Sequence, residues 1–292
     1  MTNDGTNERG PVVVTGTSTG IGAASVLYLA DQGFQVFAGV RRDTDGAALE
    51  QRSSNGLTPV ILDITDAATI AAAVDTVSAA VGERGLAGLV NNAGIVKPAP
   101  LEFQPIDDFR RQLEVNLVGQ VAVTQAFLPL IRRGHGRIVN VGSIGGRLVL
   151  PLHGAYSASK FGIEAITDAL RLELRQWKIP VSLIDPGATQ SAIFGKTLTE
   201  IDELKRVLDE QGRNLYDEQI AAIRRTVEKT AADAAPALVL AKTVGSALMS
   251  AKPKTRYLAG HGAKEAAALA RTTTDHLKDR AIAREVGLPA PE

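Results

Sequence analysis

The feature that most constrains the fold of this 292-residue chain lies near its start. Pro11-Val12-Val13-Val14-Thr15 is a short apolar, β-branched run and reads as a buried strand. Gly16-Thr17-Ser18-Thr19-Gly20-Ile21-Gly22 follows it, and a helical pattern then continues to residue 32. A strand, a glycine-rich turn and a helix start can hold a pyrophosphate, because free N–H groups at the helix N-terminus face the anion and glycine lets it approach. The spacing is GxxxGxG, neither the GxGxxG of the common dinucleotide fingerprint nor the GK[ST] of a triphosphatase loop. A tight βα turn without a ligand would use the same glycines for its backbone angles.

Further along, apolar strand-like runs at 35–40, 58–62, 88–90, 136–141, 181–184 and 256–259 alternate with helical stretches at 67–81, 107–132 and 155–177. This alternation implies one parallel sheet covered by helices on both faces, an α/β Rossmann-type doubly wound fold in a single domain spanning 1–292. Ligands of such sheets sit beyond the carboxyl ends of the strands. Residues 1–10 are polar and read as a flexible tail. Residues 191–230 are charged, helix-prone and without an evident strand, and they form either a solvated insertion or a lid over a substrate pocket. Residues 262–292 form a helical extension, closed by Gly287-Leu288-Pro289.

Tyr156-Ser157-Ala158-Ser159-Lys160 carries candidate chemistry. A four-residue spacing in a helix puts Tyr156 and Lys160 on one face, one turn apart. An ammonium about 5 Å from a phenol, at an effective dielectric of about 20, favours the phenolate by roughly 3 kcal/mol. That moves a tyrosine towards the range where a general acid/base works at neutral pH. An isolated YxxxK pair also fits an ordinary amphipathic helix, so its weight comes from the other motifs.

Taken in order, these motifs resemble the short-chain dehydrogenase/reductase family, over nearly the whole chain and in particular its hydroxysteroid and retinol dehydrogenase-like members. Thr15 to Gly22 match the family's TGxxxGxG cofactor turn, Asp63-Ile64 its adenine-contacting pair, Asn91-Asn92-Ala93-Gly94 its NNAG turn and Pro186-Gly187 its PG turn. Asn116, Ser143, Tyr156 and Lys160 match its catalytic residues. The resemblance implies hydride transfer between a nicotinamide and a secondary alcohol or ketone of bulky, apolar character. In it Tyr156 is the acid/base, Lys160 lowers its pKa and binds the ribose, Ser143 holds the substrate oxygen, and Asn116 holds a water that links Lys160 to solvent. Gly16, Ser18, Thr19, Gly20, Ile21, Gly22, Asp63, Ile64, Asn92, Ala93, Gly94, Pro186 and Gly187 would line the cofactor, with Ser191 or Thr189 reaching its amide. Where NAD-preferring relatives carry an Asp after the second strand, this chain has Val40, followed by Arg41 and Arg42. Nothing there repels a 2′-phosphate and Arg41 could pair with it, which favours NADP(H) and leaves NAD(H) open. A reductase of carrier-bound 3-oxoacyl groups and a non-enzymatic nucleotide-binding protein are the alternatives. The latter would lack Ser143, Tyr156 or Lys160, and all three are present.

Composition narrows the partners. Lys+Arg and Asp+Glu are each 32, so no net charge points to nucleic acid. There are no cysteines, and the four histidines show no metal-ligand spacing. No metal is expected. The start lacks a hydrophobic signal region and no apolar run reaches the ~18 residues of a membrane span, which gives the expectation of a cytoplasmic protein. Ile95, Val96, Leu148, Val149, Leu150, Leu152, Ile193 and Phe194 flank the motifs and would line an apolar pocket or the core. The family resemblance implies a homodimer or homotetramer built through the helices at 107–132 and 155–177.

Overall fold

A computed structural model describes residues 9–289. Most of the expected N-terminal tail, up to residue 8, and the last three residues of the C-terminal extension lie outside that range. Among the described residues the strands are β1 (Pro11–Val14), β2 (Gln35–Val40), β3 (Leu57–Ile61), β4 (Gly88–Asn91), β5 (Arg137–Val141), β6 (Val181–Pro186) and β7 (Arg256–Ala259). They form one all-parallel sheet in the order β3-β2-β1-β4-β5-β6-β7. The order reverses between β1 and β4, which is where a doubly wound sheet opens a crevice at its carboxyl edge.

The helices are α1 (Gly20–Asp31), α2 (Asp43–Glu50), α3 (Ala67–Val81), α4 (Ile106–Leu113), α5 (Gly119–Arg133), α6 (Gly154–Glu173), α7 (Ala192–Val207), α8 (Glu210–Ala232), α9 (Ala237–Met249), α10 (Ala263–Thr272) and α11 (Asp275–Val286). Alternating strand residues sort the core onto two faces, as the two-residue period of a strand requires. Val12 and Val14 of β1 and Val139 and Val141 of β5 pack with Val26 and Leu29 of α1 and Leu240 and Val244 of α9. Val13 and Ile138 point the other way, onto Val77 of α3 and Val123, Phe127 and Ile131 of α5. A third apolar cluster lies outside the sheet, under α7 and α8.

Three differences from the sequence expectation have physical reasons. The stretch expected as one helix at 107–132 runs from Ile106 to Arg133 but is interrupted by a π turn at Glu114–Val118. That run is long and apolar enough to cross a membrane by length and composition, where the sequence reading found no such segment; half of its most apolar window is buried in this fold. Helices α2 and α9 escaped notice, α2 because it is short and contains Gly46, and α9 because exposed Leu238 and Val239 beside Lys242 and Ser246 blur its amphipathic period. The inserted segment is two helices, α7 and α8, and the C-terminal extension is also two, α10 and α11.

Candidate active site

The site grows out of the strand ends. β1 stops at Val14, and Gly16 (φ +67°) and Gly20 (φ +58°) turn the chain into α1 through left-handed conformations that side chains disfavour. A Cβ on Gly16 would come 2.7 Å from Ala93 Cα, and one on Gly20 would come 2.7 Å from Ser191 Cβ. Both glycines are therefore needed for space as well as for angle. The turn is tied to its neighbours on both sides. The Thr17 hydroxyl donates to Gly39 O at 3.0 Å. The Thr15 hydroxyl accepts from the N–H groups of Asn92 (2.9 Å) and Ala93 (3.1 Å), and the Asn92 amide donates to the carbonyls of Thr15 and Gly16, both at 3.0 Å. The turns after β1 and β4 are thus one rigid unit at the sheet's switch point.

Thr19 sits at the N-cap of α1, yet its hydroxyl caps no backbone N–H. The first turn of α1 consequently presents N–H groups that no side chain of the N-cap residue covers, beside a turn that Gly16 and Gly20 keep tight, the donor set an anionic pyrophosphate requires. The residues present fit a dinucleotide. Ile21 is half-buried and Gly22 buried, close behind Asn92; Ser18 is half-buried at the rim. At the end of β3, Asp63 accepts from the N–H and hydroxyl of Thr65 (2.9 and 2.8 Å), and Ile64 is buried in the core face. Gly94 is exposed, with Asn116 Oδ1 3.4 Å and Lys160 Nζ 3.8 Å from the place its Cβ would take.

At the far side of the crevice, α6 carries Tyr156 and Lys160 one turn apart, as the spacing predicts. Ser143 caps the short helical turn after β5 by accepting from Gly145 N at 3.0 Å, and its hydroxyl hydrogen-bonds Tyr156. Lys160 is buried, and its ammonium donates to Val141 O at 3.0 Å, 5.9 Å from the centre of the Tyr156 ring. Burial draws the Lys160 pKa from 10.5 down to about 8, against the opposing pull of the Asp185 carboxylate. The expectation that Lys160 lowers the Tyr156 pKa is corrected: burial raises it, and the hydrogen bond from Ser143 is the group that works in the lowering direction. The physical reason is that Tyr156 is deeply buried in this structure, and desolvation of the phenolate outweighs the hydrogen bond from Ser143.

The π turn places Asn116 fully inside the fold. Its amide oxygen accepts from Ile95 N (2.8 Å), and its nitrogen donates to Ile95 O (2.9 Å) and to Ser159 Oγ (3.0 Å). Ser159 lies next to Lys160, so Asn116 locks the loop after β4 to the helix that bears the Tyr–Lys pair. A π bulge shifts the side chains that follow it by one position, and such bulges often mark functional sites. The His153 ring stands edge-on to Tyr156 at 6.3 Å, its Nδ1 3.0 Å from Pro151 O, and burial lowers its pKa, which makes it a neutral wall rather than a second base.

The remaining expected residues divide. Pro186 ends β6 and Gly187 follows it at the carboxyl edge, and Ser191 stands at the N-cap of α7, directly against Gly20. Thr189 does not face the turn: it is buried, and its hydroxyl donates to Gly187 O at 3.2 Å and packs beside Gly260. Arg41 is exposed at the end of β2 and makes no ion pair among the described residues, whereas Arg42 is held by Asp45 through two contacts at 2.9 and 3.0 Å. Of the apolar candidates, Leu150, Leu152 and Phe194 join Ala99, Phe103, Leu198 and Ile201 beneath α7 and α8; Ile95 belongs to the main core, and Val149 is exposed. Sequence reasoning missed Asp185, and it named Thr15 and Thr17 in the turn without their contacts to Asn92, Ala93 and Gly39, which lie far apart along the chain.

The comparisons agree with this geometry. The profile of the short chain dehydrogenase family matches residues 11–202. Human short-chain dehydrogenase/reductase family 9C member 7 is 36% identical over 282 residues, spanning 94% of this chain and 90% of that protein. Rat retinol dehydrogenase 7 is 36% identical over 87% of this chain and 81% of its own length. The NADPH-dependent 3-dehydrocapnine reductase of Ornithobacterium rhinotracheale is 34% identical over 84% and 86%. A short-chain dehydrogenase crystal structure from Streptomyces avermitilis superposes with a TM-score of 0.73 at 25% identity, covering 91% of this chain and 92% of that one. One from Burkholderia cenocepacia in complex with NADP does so with 0.67 at 25% identity, covering 96% and 98%. This chain belongs to the short-chain dehydrogenase family and is an oxidoreductase acting on CH–OH groups.

Proposed function

We propose that this protein is an NADP(H)-preferring dehydrogenase or reductase for a secondary alcohol or ketone carried on a bulky apolar molecule, steroid- or retinoid-like in size. The observation that carries the reading is the convergence of Ser143, Tyr156 and Lys160 beside the glycine turn, at the carboxyl edge of the sheet.

The bound nicotinamide supplies or takes up the hydride. The chain's own residues orient the reactants and move the proton. Tyr156 Oη gives a proton to the substrate oxygen in reduction and removes it in oxidation. Ser143 Oγ, already bonded to Tyr156, holds the same oxygen in line. Lys160 stays protonated at neutral pH, below its pKa of about 8, and its charge favours the phenolate once substrate contacts draw Tyr156 towards it. Asn116 holds the β4 loop against α6 and so fixes the distance between the two halves of the site. Gly16, Ser18, Thr19, Gly20, Ile21 and Gly22 would hold the pyrophosphate, Asp63 and Ile64 the adenine end, Asn92, Ala93 and Gly94 the ribose, and Pro186, Gly187 and Ser191 the nicotinamide side.

The cofactor preference is supported by the end of β2, where Val40 stands in place of a carboxylate and is followed by an exposed Arg41 that makes no ion pair among the described residues. The apolar substrate class is supported by half-buried Leu150 and Phe194, at the edge of the apolar cluster on which α7 and α8 pack as a lid. Two polar contacts hold that lid to the loop after β4: the Tyr216 hydroxyl donates to Glu102 at 2.8 Å, and Lys97 lies 3.8 Å from Glu200. Retinol dehydrogenase 7 and 17-beta-hydroxysteroid dehydrogenase type 6 among the relatives point the same way. Exposed Val118, Phe161 and Leu172 on the outer faces of the π turn and α6 support assembly of two or more copies through those helices. The testing experiment measures turnover of hydroxysteroids, retinol and their carbonyl partners with NADPH/NADP and with NADH/NAD. Turnover of an apolar member with the phosphorylated cofactor supports the reading; turnover restricted to small polar alcohols or to NAD(H) rejects it.

A further inference from the structure

A ladder of charges runs from the site to the surface, and nothing in the proposed reaction uses it. Asp185, the residue before Pro186-Gly187, has no solvent exposure, and its Oδ2 accepts from Arg147 Nε at 2.9 Å and Nη2 at 2.8 Å. The other Arg147 contact is Glu164 at 3.2 Å; Glu164 in turn is bound by Arg256 at 2.6 Å, and Arg256 reaches Asp168 at 3.1 Å. The signs alternate, from the fully buried Asp185 at the inner end to the 42% exposed Asp168 at the outer end. The inner end is incomplete: Asp185 Oδ1 is buried and has no hydrogen-bond donor among the described residues. That oxygen lies over Gly142, where a Cβ would come within 2.5 Å of it. Gly142 joins Val141, whose carbonyl accepts from Lys160, to Ser143.

We propose that Asp185, pinned by Arg147, is a positioning residue that holds the buried Lys160 ammonium protonated and on the Val141 carbonyl. A buried carboxylate oxygen left without a donor is retained where its charge acts on a nearby cation. The groups around Lys160 are few. Tyr156 and Glu164 lie on its own helix, Asp185 on β6, Ser143 and Arg147 after β5, and the uncharged Asn116 on the π turn. Of these, Asp185 is the group whose charge raises the Lys160 pKa, against burial. Burial first, and then the neighbouring Glu164 carboxylate, push the Asp185 pKa up to about 6, so acid weakens the charge that Asp185 presents to Lys160. Arg147 opposes that rise, and the outer rungs hold Arg147 in place.

The inference rests on the proposed role of Lys160 but is tested without turnover. The Nζ signal of isotope-labelled lysine is followed by NMR against pH in the wild type, in Asp185→Asn and in Arg147→Gln, beside the pH profile of kcat/KM for each. In Asp185→Asn the Lys160 titration should move to lower pH by roughly one unit or more, and the activity profile should lose its alkaline side by the same amount. Arg147→Gln, which leaves Asp185 uncompensated and more easily protonated, should move both in the same direction. A Lys160 titration unchanged in either folded variant overturns the proposal; if Asp185→Asn does not fold, Arg147→Gln decides alone. A wild type without turnover whose Lys160 titration still shifts on substitution would reject the enzymatic reading and leave this inference standing.

Discussion

Removing the catalytic ammonium should make the folded chain more stable at neutral pH. Lys160 is buried, and its pKa falls from 10.5 to about 8 on folding. Keeping it charged in the native state at pH 7 therefore costs roughly 3 kcal/mol. Lys160→Met removes that cost and keeps an unbranched side chain of similar length. It also leaves the Val141 carbonyl without its donor and takes one of two neighbouring cations from Asp185, which keeps Arg147; together these return about 1–2 kcal/mol. The net gain is about 1–2 kcal/mol, and for a chain of this length that raises Tm by roughly 2–3 °C. The sign fixes the pH dependence. A lysine whose folded pKa lies below its unfolded value binds fewer protons in the native state between about 8 and 10.5. Its penalty is full below 8 and fades as pH rises to 10.5, so wild type should catch up with the variant over that window. Urea unfolding of both proteins at pH 7 and pH 10 measures this. The reasoning is refuted if Lys160→Met is no more stable at pH 7, or if its advantage does not shrink at pH 10.

Other expected outcomes follow from the same geometry. Tyr156→Phe should bind cofactor as wild type does while kcat drops by about 10²–10⁴-fold, as measured in parallel by calorimetry and steady-state kinetics. Arg41→Ala should weaken NADPH binding about tenfold or more and leave NADH nearly unchanged, because only the 2′-phosphate meets the guanidinium. Gly16→Ala should abolish dinucleotide binding and destabilise by about 1–3 kcal/mol, since the new Cβ would sit 2.7 Å from Ala93 Cα at φ +67°. Phe194→Ala and Leu150→Ala, on the cluster beneath the lid, should raise KM for bulky apolar substrates more than for small ketones.

The sequence made the doubly wound sheet and the order of the site legible because both rest on local backbone demands. A β-branched run followed by glycines with left-handed angles can be recognised without tertiary information, and so can the one-turn spacing of Tyr156 and Lys160. What stayed hidden depends on distance. Asp185 meets Arg147 across 38 residues of sequence, and Thr15 meets Asn92 across 77, so no local pattern announces either contact. The π turn at Glu114–Val118 preserves a helical hydrophobic period on both sides, which conceals the extra residue that turns Asn116 inward. Spacing also placed Lys160 near Tyr156 without revealing how deeply the phenol is buried, and burial raises its pKa where the spacing alone suggested a fall. Thr189 and Ser191 are near neighbours in a loop, and only the packing of Gly20 against Ser191 separates their roles.

The most direct test compares wild type and Tyr156→Phe in single-turnover reduction of an apolar ketone by bound NADPH, followed by loss of the reduced nicotinamide absorbance. The account predicts rapid oxidation of NADPH by the wild type and a bound but nearly unreactive cofactor in the variant. Equal rates in the two proteins, or no binding of NADPH to either, would contradict it.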